Sequence, residues 1–440
     1  MPDSAVIVLC LVQFVDVLGV TSAITAIPAM LEGVGAGHSL AGPLATAYAM
    51  FFGGLLVLGA RLGRKYGHRR ILFGGLAGFV LASALGSVAA EGWHLVAARA
   101  MQGAASAVSV PAALSLLLSV ANDKGIRAPA LALWSAAGAA AGAAGFFIGG
   151  GLTDLLGWPA VFWMNIPIGI LLSAGVRWRV AAPGDREPHV SFDIPGAMVL
   201  IGSVMAVVVG AAFLENAASR ALGAAAVALG ILGAFVLARW MKRAPDPIIP
   251  PSALRRPKPS LGTFGSFINT ATTSSTSVLL TLFLQQQEAL TPFQTGLALL
   301  PVSLAVIAGS SAAAPVIKRS SRRMAITAGL ALIAAGNLLA AFSLASIAGI
   351  VMAVSLIGFG LGLSSVGCND LGTDLPGTHV STTTGLLNTG AQVGTALGAA
   401  VLVLVASAGT YGAFSAYSVG LLLAAATALA TAVVMARTVP

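Results

Sequence analysis

The sequence predicts an all-α polytopic membrane protein with fourteen membrane-spanning helices. Only 8% of its 440 residues are charged and 57% are hydrophobic, and apolar runs of spanning length recur along the whole chain. A soluble domain carries about 25% charged residues, so this composition cannot cover a water-exposed surface. It excludes soluble enzymes, nucleic-acid-binding domains and disordered chains.

The spans themselves are apolar runs long enough to cross about 30 Å of hydrocarbon. We interpret the first run as a span and not a signal peptide, because no basic segment precedes it. The spans are predicted at 5–31, 40–60, 71–90, 94–120, 128–152, 158–176, 194–214, 221–239, 260–285, 293–316, 324–344, 347–367, 381–407 and 410–436.

The basic residues predict the orientation. If the N-terminus is cytoplasmic, 21 of the 23 lysines and arginines fall in cytoplasmic loops or at the C-terminus, as the positive-inside rule requires. The exceptions are Arg220, in an outward loop, and Arg99, inside a span. We therefore expect a multi-pass protein of the inner (plasma) membrane with both termini cytoplasmic. Topology accounts for the net charge of +9, so we expect no nucleic-acid partner.

Two polar linkers, at 177–193 and 240–259, divide the chain. They bracket two spans, and six spans lie on either side. A basic cluster joins the second and third spans of each half, at 61–70 and 318–323, which is typical of transporters built from related halves. The predicted parts are a six-helix bundle at 1–176, linkers with an inserted two-helix hairpin at 177–258, and a second six-helix bundle at 259–440.

Asp16 and Arg99 are the two charges predicted to be deeply embedded. A charge inside the membrane costs a few kcal/mol or more, so it usually serves a function. The structural alternatives are that Asp16 snorkels or is hydrogen-bonded, and that Arg99 pairs with an acid or a helix-end carbonyl. The five histidines fall in or beside loops without a neighbouring ligand, and the two cysteines lie in or beside apolar runs. We therefore expect no metal, no disulfide and no cofactor.

The ninth span carries the polar segment 269–277. Its residues Asn269, Thr273 and Thr276 share one helix face, and we interpret this face as lining a polar cavity. The alternative is that the hydroxyl groups bond carbonyls of their own helix and bend it.

Glycines form a stripe on one face of the fifth span and of the thirteenth. Such stripes let a neighbouring backbone approach closely, and either tight packing or a moving interface would use that closeness. The stripes consist of Gly138, Gly142, Gly145 and Gly149, and of Gly390, Gly394 and Gly398.

Taken together, the motifs of this chain resemble those of the fourteen-span drug:proton antiporters of the major facilitator superfamily. The resemblance covers essentially the full length and rests on the order and spacing of several signatures. These are the loop signature at 59–70, the embedded arginine at 99–103, the antiporter motif at 138–154, and the segments 162–169, 294–301 and 385–388.

Three positions depart from that family pattern. Arg64 replaces the usual aspartate of the loop signature, Phe146 replaces the proline that follows the antiporter glycine, and Gly19 replaces an acid in the first span. The changes bear on gating, on the bend of the fifth span and on the proton site. Asp16 lies almost one turn before Gly19, so it can face the same cavity.

The resemblance implies a monomeric transporter, not an enzyme, that exports a small lipophilic or amphipathic compound in exchange for protons. Two bundles would rock around a central site, with Asp16 as proton carrier and Arg99 as its responding cation. The alternative is a facilitative transporter without proton coupling. An enzyme is disfavoured because the sequence has no nucleophile elbow, no paired membrane acids and no histidine inside a span.

Further candidates are chosen as polar or aromatic side chains in central spans, or from the loop signature and the glycine stripe. The substrate-binding candidates are Gln13, Gln102, Trp134, Asn165, Asn269, Thr273, Thr276, Asn388 and Gln392. The gating candidates are Gly59, Arg61, Arg64, Gly67, Arg69, Arg70, Gly142, Gly145 and Gly149.

Overall fold

A computed structural model describes residues 4–123, 127–181, 193–214, 219–245, 247, 256–373, 380–407 and 415–439. Fourteen helices in these residues are long and apolar enough to cross a membrane, which confirms the predicted fold class. They are α1 Ser4–Gly33, α2 Ala41–Tyr66, α3 His68–Ser87, α4 Gly92–Asp123, α5 Arg127–Leu156, α6 Ala160–Arg179 with a break at Met164, α7 Ile194–Leu214, α8 Arg220–Met241, α9 Pro257–Gln286, α10 Pro292–Arg319, α11 Arg322–Phe342, α12 Ile347–Thr373, α13 Val380–Ser407 and α14 Ala416–Thr438. Much of both predicted linkers and residues 215–218 of the outward loop lie outside the described residues.

The loop predicted between the second and third spans is almost absent. Helix α2 continues to Tyr66, Gly67 alone separates it from α3, and α3 begins at His68. Gly67 has φ of 95°, a conformation that glycine adopts without steric cost and that ends the helix. The helices extend beyond the apolar runs because their ends consist of charged residues. Arg61, Arg64 and Lys65 lie in the last turns of α2, and Arg69 and Arg70 lie in the first turn of α3.

Side-chain packing follows the two predicted groups of six helices at the ends that the predicted topology places in the cytoplasm. One hydrophobic cluster contains only residues of α1 to α6 and of the segment after α6, including Leu9, Leu72 and Leu117. Another contains only residues of α9, α11, α12 and α14 and of the segment after α14, including Leu330 and Leu371. The exact boundaries of the three parts stay a prediction.

Helices α7 and α8 form the inserted hairpin. Gly210 and Gly223 bring their backbones together. At the other end of the hairpin, the Asp193 carboxylate accepts hydrogen bonds from the backbone N–H of Gly196 (2.9 Å) and from Trp240 Nε1 (2.8 Å). The hairpin packs across α2 and α13 through a shared apolar cluster that includes Met50. It therefore contacts both halves of the molecule.

The two halves make polar contacts at the ends of the helices that the predicted topology places outside. Gln285 Nε2 of α9 donates to the carbonyl of Thr25 in α1 (2.8 Å), and the backbone N–H of Phe293 in α10 donates to Asp154 of α5 (3.2 Å). An apolar cluster around Leu31 also joins α1, α2, α4, α6, α9 and α13. On the predicted topology, with cytoplasmic termini, this arrangement corresponds to an inward-facing conformation.

The orientation can be tested at the two ends of α11, where Ser320 and Ala345 lie exposed in short connections. In intact cells, a cysteine at Ala345 should react with an impermeant thiol reagent, and a cysteine at Ser320 should react only after lysis. The unmodified chain is the control, because Cys10 and Cys368 are both buried. The opposite labelling pattern would reverse the predicted topology.

Candidate functional site

Asp16, Tyr48 and Arg99 form a buried network between α1, α2 and α4. The Tyr48 hydroxyl donates to Asp16 Oδ1, and Arg99 Cζ lies 4.7 Å from the centroid of the Tyr48 ring. Ser106, further along α4, adds a side-chain hydrogen bond to Asp16. The three network residues are 8%, 2% and 3% exposed, so neither the carboxylate nor the guanidinium is solvated by bulk water.

Arg99 also has partners on α1 and on its own helix. Its Nη1 donates to the carbonyl of Gly19 (3.0 Å) and to Gln102 Oε1 (2.9 Å), and Gln102 Nε2 donates to the hydroxyl of Ser83 in α3 (2.8 Å). Gln102 therefore orients the arginine from a buried position and links it to a third neighbouring helix.

Glycine in α4 lets the network assemble. A side chain at Gly103 would overlap the backbone carbonyl of Tyr48, and one at Gly59 of α2 would overlap the carbonyl of Ala107. The backbones of α2 and α4 therefore touch beside Tyr48, which brings its ring to the guanidinium of Arg99 one turn along α4.

The glycine stripe of α5 faces α1. Gly138 lies against the side chain of Gln13, Gly145 against Thr21, and Gly149 against the backbone of Ser22. Gly142 lies near both Val17 of α1 and Ser303 of α10. Helix α5 is thus in close contact with α1 along its length and also reaches the other half.

Four of the predicted substrate-binding residues lie on helices that contact the opposite half. Gln13 and Trp134 are half-buried on α1 and α5, Gln392 is half-buried on α13, and Asn388 is exposed there. Gln392 packs against Gly53 of α2 across the boundary between the halves. Of these four candidates, Gln392 therefore contacts the opposite half, whereas Gln13 packs against Gly138 and Trp134 against the hydrophobic cluster of their own bundle.

Two other candidates lie inside the first bundle. Gln102 is part of the Arg99 network. Asn165 is 2% exposed, and its Nδ2 donates to the carbonyl of Val161 in the same helix (3.2 Å). The structure does not bring these two side chains together with Gln13 and Gln392.

The polar face of α9 is packed inside the second bundle. The sequence predicts that this face lines a cavity, whereas Asn269, Thr273 and Thr276 are at most 2% exposed. The Ser364 hydroxyl donates to Asn269 Oδ1 (2.9 Å), and the Thr276 hydroxyl donates to Asn337 Oδ1 (2.6 Å). In this conformation the face joins α9 to α11 and α12 and does not line a cavity.

The gating candidates of the loop signature lie at the ends of α2 and α3 that the predicted topology places in the cytoplasm. Arg69 Nη2 donates to the carbonyl of Arg177 at the end of α6 (2.7 Å), while Arg64 and Arg70 are exposed. The stretch from Gly59 to Arg70 therefore connects α2, α3, α4 and α6 of one bundle. The proposed gating roles stay a prediction.

Comparisons with known proteins agree with this architecture. Residues 9–193, 194–399 and 262–440 match the family model of the Major Facilitator Superfamily. This chain belongs to the major facilitator superfamily.

Its curated relatives include resistance and export proteins. It is 31% identical over 423 residues to the puromycin resistance protein pur8 of Streptomyces alboniger, which covers 92% of this chain and 82% of that protein. It is 31% identical over 429 residues to the cephamycin export protein CmcT of Amycolatopsis lactamdurans, which covers 93% and 86%. Among solved structures, the nucleoside transporter NupG superimposes with a TM-score of 0.70 at 10% identity over 99% and 100% of the chains. The chain is therefore a multi-pass membrane transporter.

The three departures from the superfamily pattern each have a structural counterpart. Gly19 presents its backbone carbonyl to Arg99. Phe146 is 3% exposed in an unbroken α5, and its carbonyl lies against Gly296 of α10. Arg64 lies exposed in the last turn of α2. The first departure leaves Asp16 as the embedded acid closest to the arginine network.

Sequence reasoning did not identify Tyr48 or Asn337. A tyrosine inside an apolar span signals a buried hydroxyl that needs a partner, so Tyr48 was open to detection. Ser83, Ser106 and Ser364 carry no such signal, because a serine in a membrane helix can bond the carbonyl one turn earlier.

We expect Gly149→Ala to destabilise the transporter and Gly74→Ala to leave it intact. A methyl group at Gly149 would overlap the backbone of Ser22, whereas no other atom lies within 4 Å of that position at Gly74. Overpacking costs about 1–3 kcal/mol, while both substitutions gain about 1 kcal/mol of helix propensity. Thermal unfolding in detergent measures the difference, and equal stability of the two variants would contradict the close α1–α5 contact.

The packed face of α9 gives a second stability prediction. Asn269→Ala should lower the free energy of unfolding by about 1–2 kcal/mol, because it removes an interhelical hydrogen bond and buried volume. Asn388→Ala is the matched control, since Asn388 is exposed. If Asn269→Ala instead weakens substrate binding at unchanged stability, the face lines a binding cavity after all.

Proposed function

We propose that this transporter exports a small, amphipathic, antibiotic-like compound and drives the export with protons that enter the cell. Its site would be the bacterial plasma membrane, with both termini cytoplasmic and the monomer as the working unit. The observation that carries the proton coupling is the buried contact of Asp16 with Tyr48 beside Arg99.

A carboxylate in this position suits a proton carrier. It is embedded in a span, so its charge is costly there, and the Arg99 guanidinium is held close by Tyr48 and Gly19. A group that must load a proton from one side and release it to the other needs such an environment, because small movements of the surrounding helices change both its solvation and its distance to the cation.

The names of the relatives support the substrate class. A puromycin resistance protein and a cephamycin export protein each share 31% identity with this chain over more than nine tenths of its length. The candidate substrate-binding residues on helices that contact the opposite half are neutral, namely Gln13, Trp134, Asn388 and Gln392. Such side chains favour a ligand with aromatic or aliphatic surface and a few hydrogen-bonding groups.

Alternating access would proceed from the inward-facing conformation described above. The outer contacts, such as Gln285 with Thr25 and Phe293 with Asp154, would have to separate for release outside. The close glycine contacts of α5 with both α1 and α10 support a position at the boundary that would move. Gly142, Gly145 and Gly149 would act in gating from this position.

Asp16→Asn tests the proposal. In everted membrane vesicles with an imposed pH gradient, we expect uptake of an exported antibiotic, with puromycin as the first probe of a panel, to fall to the level of vesicles lacking the protein. Binding and downhill exchange should persist, because asparagine retains the Oδ1 acceptor for Tyr48 and resembles the protonated, uncharged form of the acid.

The matched control is Glu91→Gln, the same chemical change at an exposed acid in the connection between α3 and α4. It should export normally. If Asp16→Asn still drives uptake against a concentration gradient, proton coupling does not use Asp16. If the parent protein transports equally well after an ionophore collapses the pH gradient, it is a facilitative transporter.

A further inference from the structure

We propose that Tyr48 is the positioning residue that links protonation of Asp16 to the contact between the two halves. This inference rests on the proposed proton coupling and adds a route by which the coupling reaches the other bundle. The route runs from Asp16 through Tyr48 and along α2 to Gly53, where α13 is in contact.

The Tyr48 side chain makes one contact through its hydroxyl and two through its ring. Its hydroxyl donates to Asp16 Oδ1, and its ring faces the guanidinium of Arg99 at 4.7 Å. Phe52, one turn later, stacks on it with the ring centroids 6.0 Å apart. Among the described residues, Tyr48 and Arg99 are the titratable or charged groups that interact with Asp16. The side chain of Tyr48 is therefore in contact with both the acid and the cation of the network.

Helix α2 connects Tyr48 to the boundary with the second half, so a movement of Tyr48 along or across the helix axis also displaces the residues at that boundary. Gly53 lies five residues further along, about 7.5 Å along the helix axis. Its carbonyl accepts a hydrogen bond from the Thr389 hydroxyl of α13 (3.0 Å), and the side chain of Gln392 packs against its Cα. One short segment of α2 thus contacts the proton site at one end and the opposite bundle at the other.

Protonation changes the strength of the first contact. A hydrogen bond to an ionised carboxylate is about twice as strong as one to a neutral acceptor, so the bond between Tyr48 and Asp16 weakens when a proton binds. Arg99 then keeps only neutral partners, namely the ring, the Gly19 carbonyl and Gln102. Both changes weaken the attachment of α2 to α1 and α4. A shift of α2 then changes the hydrogen bond between the Thr389 hydroxyl and the Gly53 carbonyl.

A purely structural role makes a different prediction. A buried tyrosine hydroxyl needs a hydrogen-bond partner, and an acceptor on α1 would satisfy it without any effect on transport. Phenylalanine keeps the ring, its stacking on Phe52 and its contact with Arg99, and removes only the donor. Tyr48→Phe therefore separates a structural hydroxyl from one that transmits protonation.

The experiment uses protons alone as the probe, so it needs no identified substrate. Spin labels are attached to Trp178→Cys at the end of α6 and Ser320→Cys after α10, one exposed site in each half, in a background without the native cysteines. The distance distribution between the labels is measured in acidic and alkaline buffer. We expect the parent to shift between two populations, and Tyr48→Phe to reduce the pH-dependent change in their ratio about tenfold or more.

Tyr66→Phe is the matched control, since it makes the same change at an exposed tyrosine of α2 and should respond like the parent. Thr389→Val removes the hydroxyl that α13 gives to Gly53 and should also reduce the response. In the double variant the two losses should not add, because both interrupt one route. If Tyr48→Phe does not fold, Thr389→Val tests the boundary contact by itself.

The failures of the two proposals are distinguishable. If the parent shows no pH response, or Asp16→Asn responds like the parent, the proposed proton site is wrong. If Asp16→Asn loses the response while Tyr48→Phe retains it, only the role of Tyr48 is overturned. Additive effects of Tyr48→Phe and Thr389→Val, or a normal response of Thr389→Val, would overturn the route through Gly53.

Discussion

The low polarity of the membrane interior is the constraint on which the rest of this structure depends. Lipid offers no hydrogen bonds, so each embedded polar group must find its partner within the protein. The backbone solves this with fourteen helices, and the side chains solve it with buried networks. Asp16 is bonded by Tyr48, Arg99 by Gly19 and Gln102, and Asn337 by Thr276. Some polar side chains of the spans therefore bond neighbouring helices, and many serines and threonines bond carbonyls of their own helix.

Helix association in lipid relies on close packing, because apolar side chains gain little by leaving lipid for another helix. Glycine provides that packing here. Gly103 lets α4 touch the backbone of Tyr48, Gly149 lets α5 touch α1, and Gly358 lets α12 touch α10. The close approach of α2 and α4 also allows Tyr48 to contact both Asp16 and Arg99. Glycine packing therefore determines both how the first bundle packs and how its charged network is arranged.

The two halves use their buried polar groups differently. The first half contains a buried carboxylate and a buried guanidinium, and we propose that their interaction changes when a proton binds. The second half contains a neutral network around Asn269 and Asn337, which holds α9, α11 and α12 together at any physiological pH. In the proposed mechanism the first bundle responds to protons, and the contact of α2 with α13 at Gly53 and Thr389 is one of those that join it to the second bundle.

The sequence by itself determined the number of spans, the predicted orientation and the presence of an embedded acid and arginine, because hydropathy and charge act locally along the chain. The glycine face of α5 was also readable, since helical periodicity sets it. Which helix each face meets was decided only by the tertiary structure. Asn269 and Thr276 could equally have faced a cavity, and their burial depends on Ser364 and Asn337, which lie 61 to 95 residues away in sequence. Tyr48 likewise gained its place between Asp16 and Arg99 from the close approach of α2 and α4, a three-dimensional contact that no local pattern encodes.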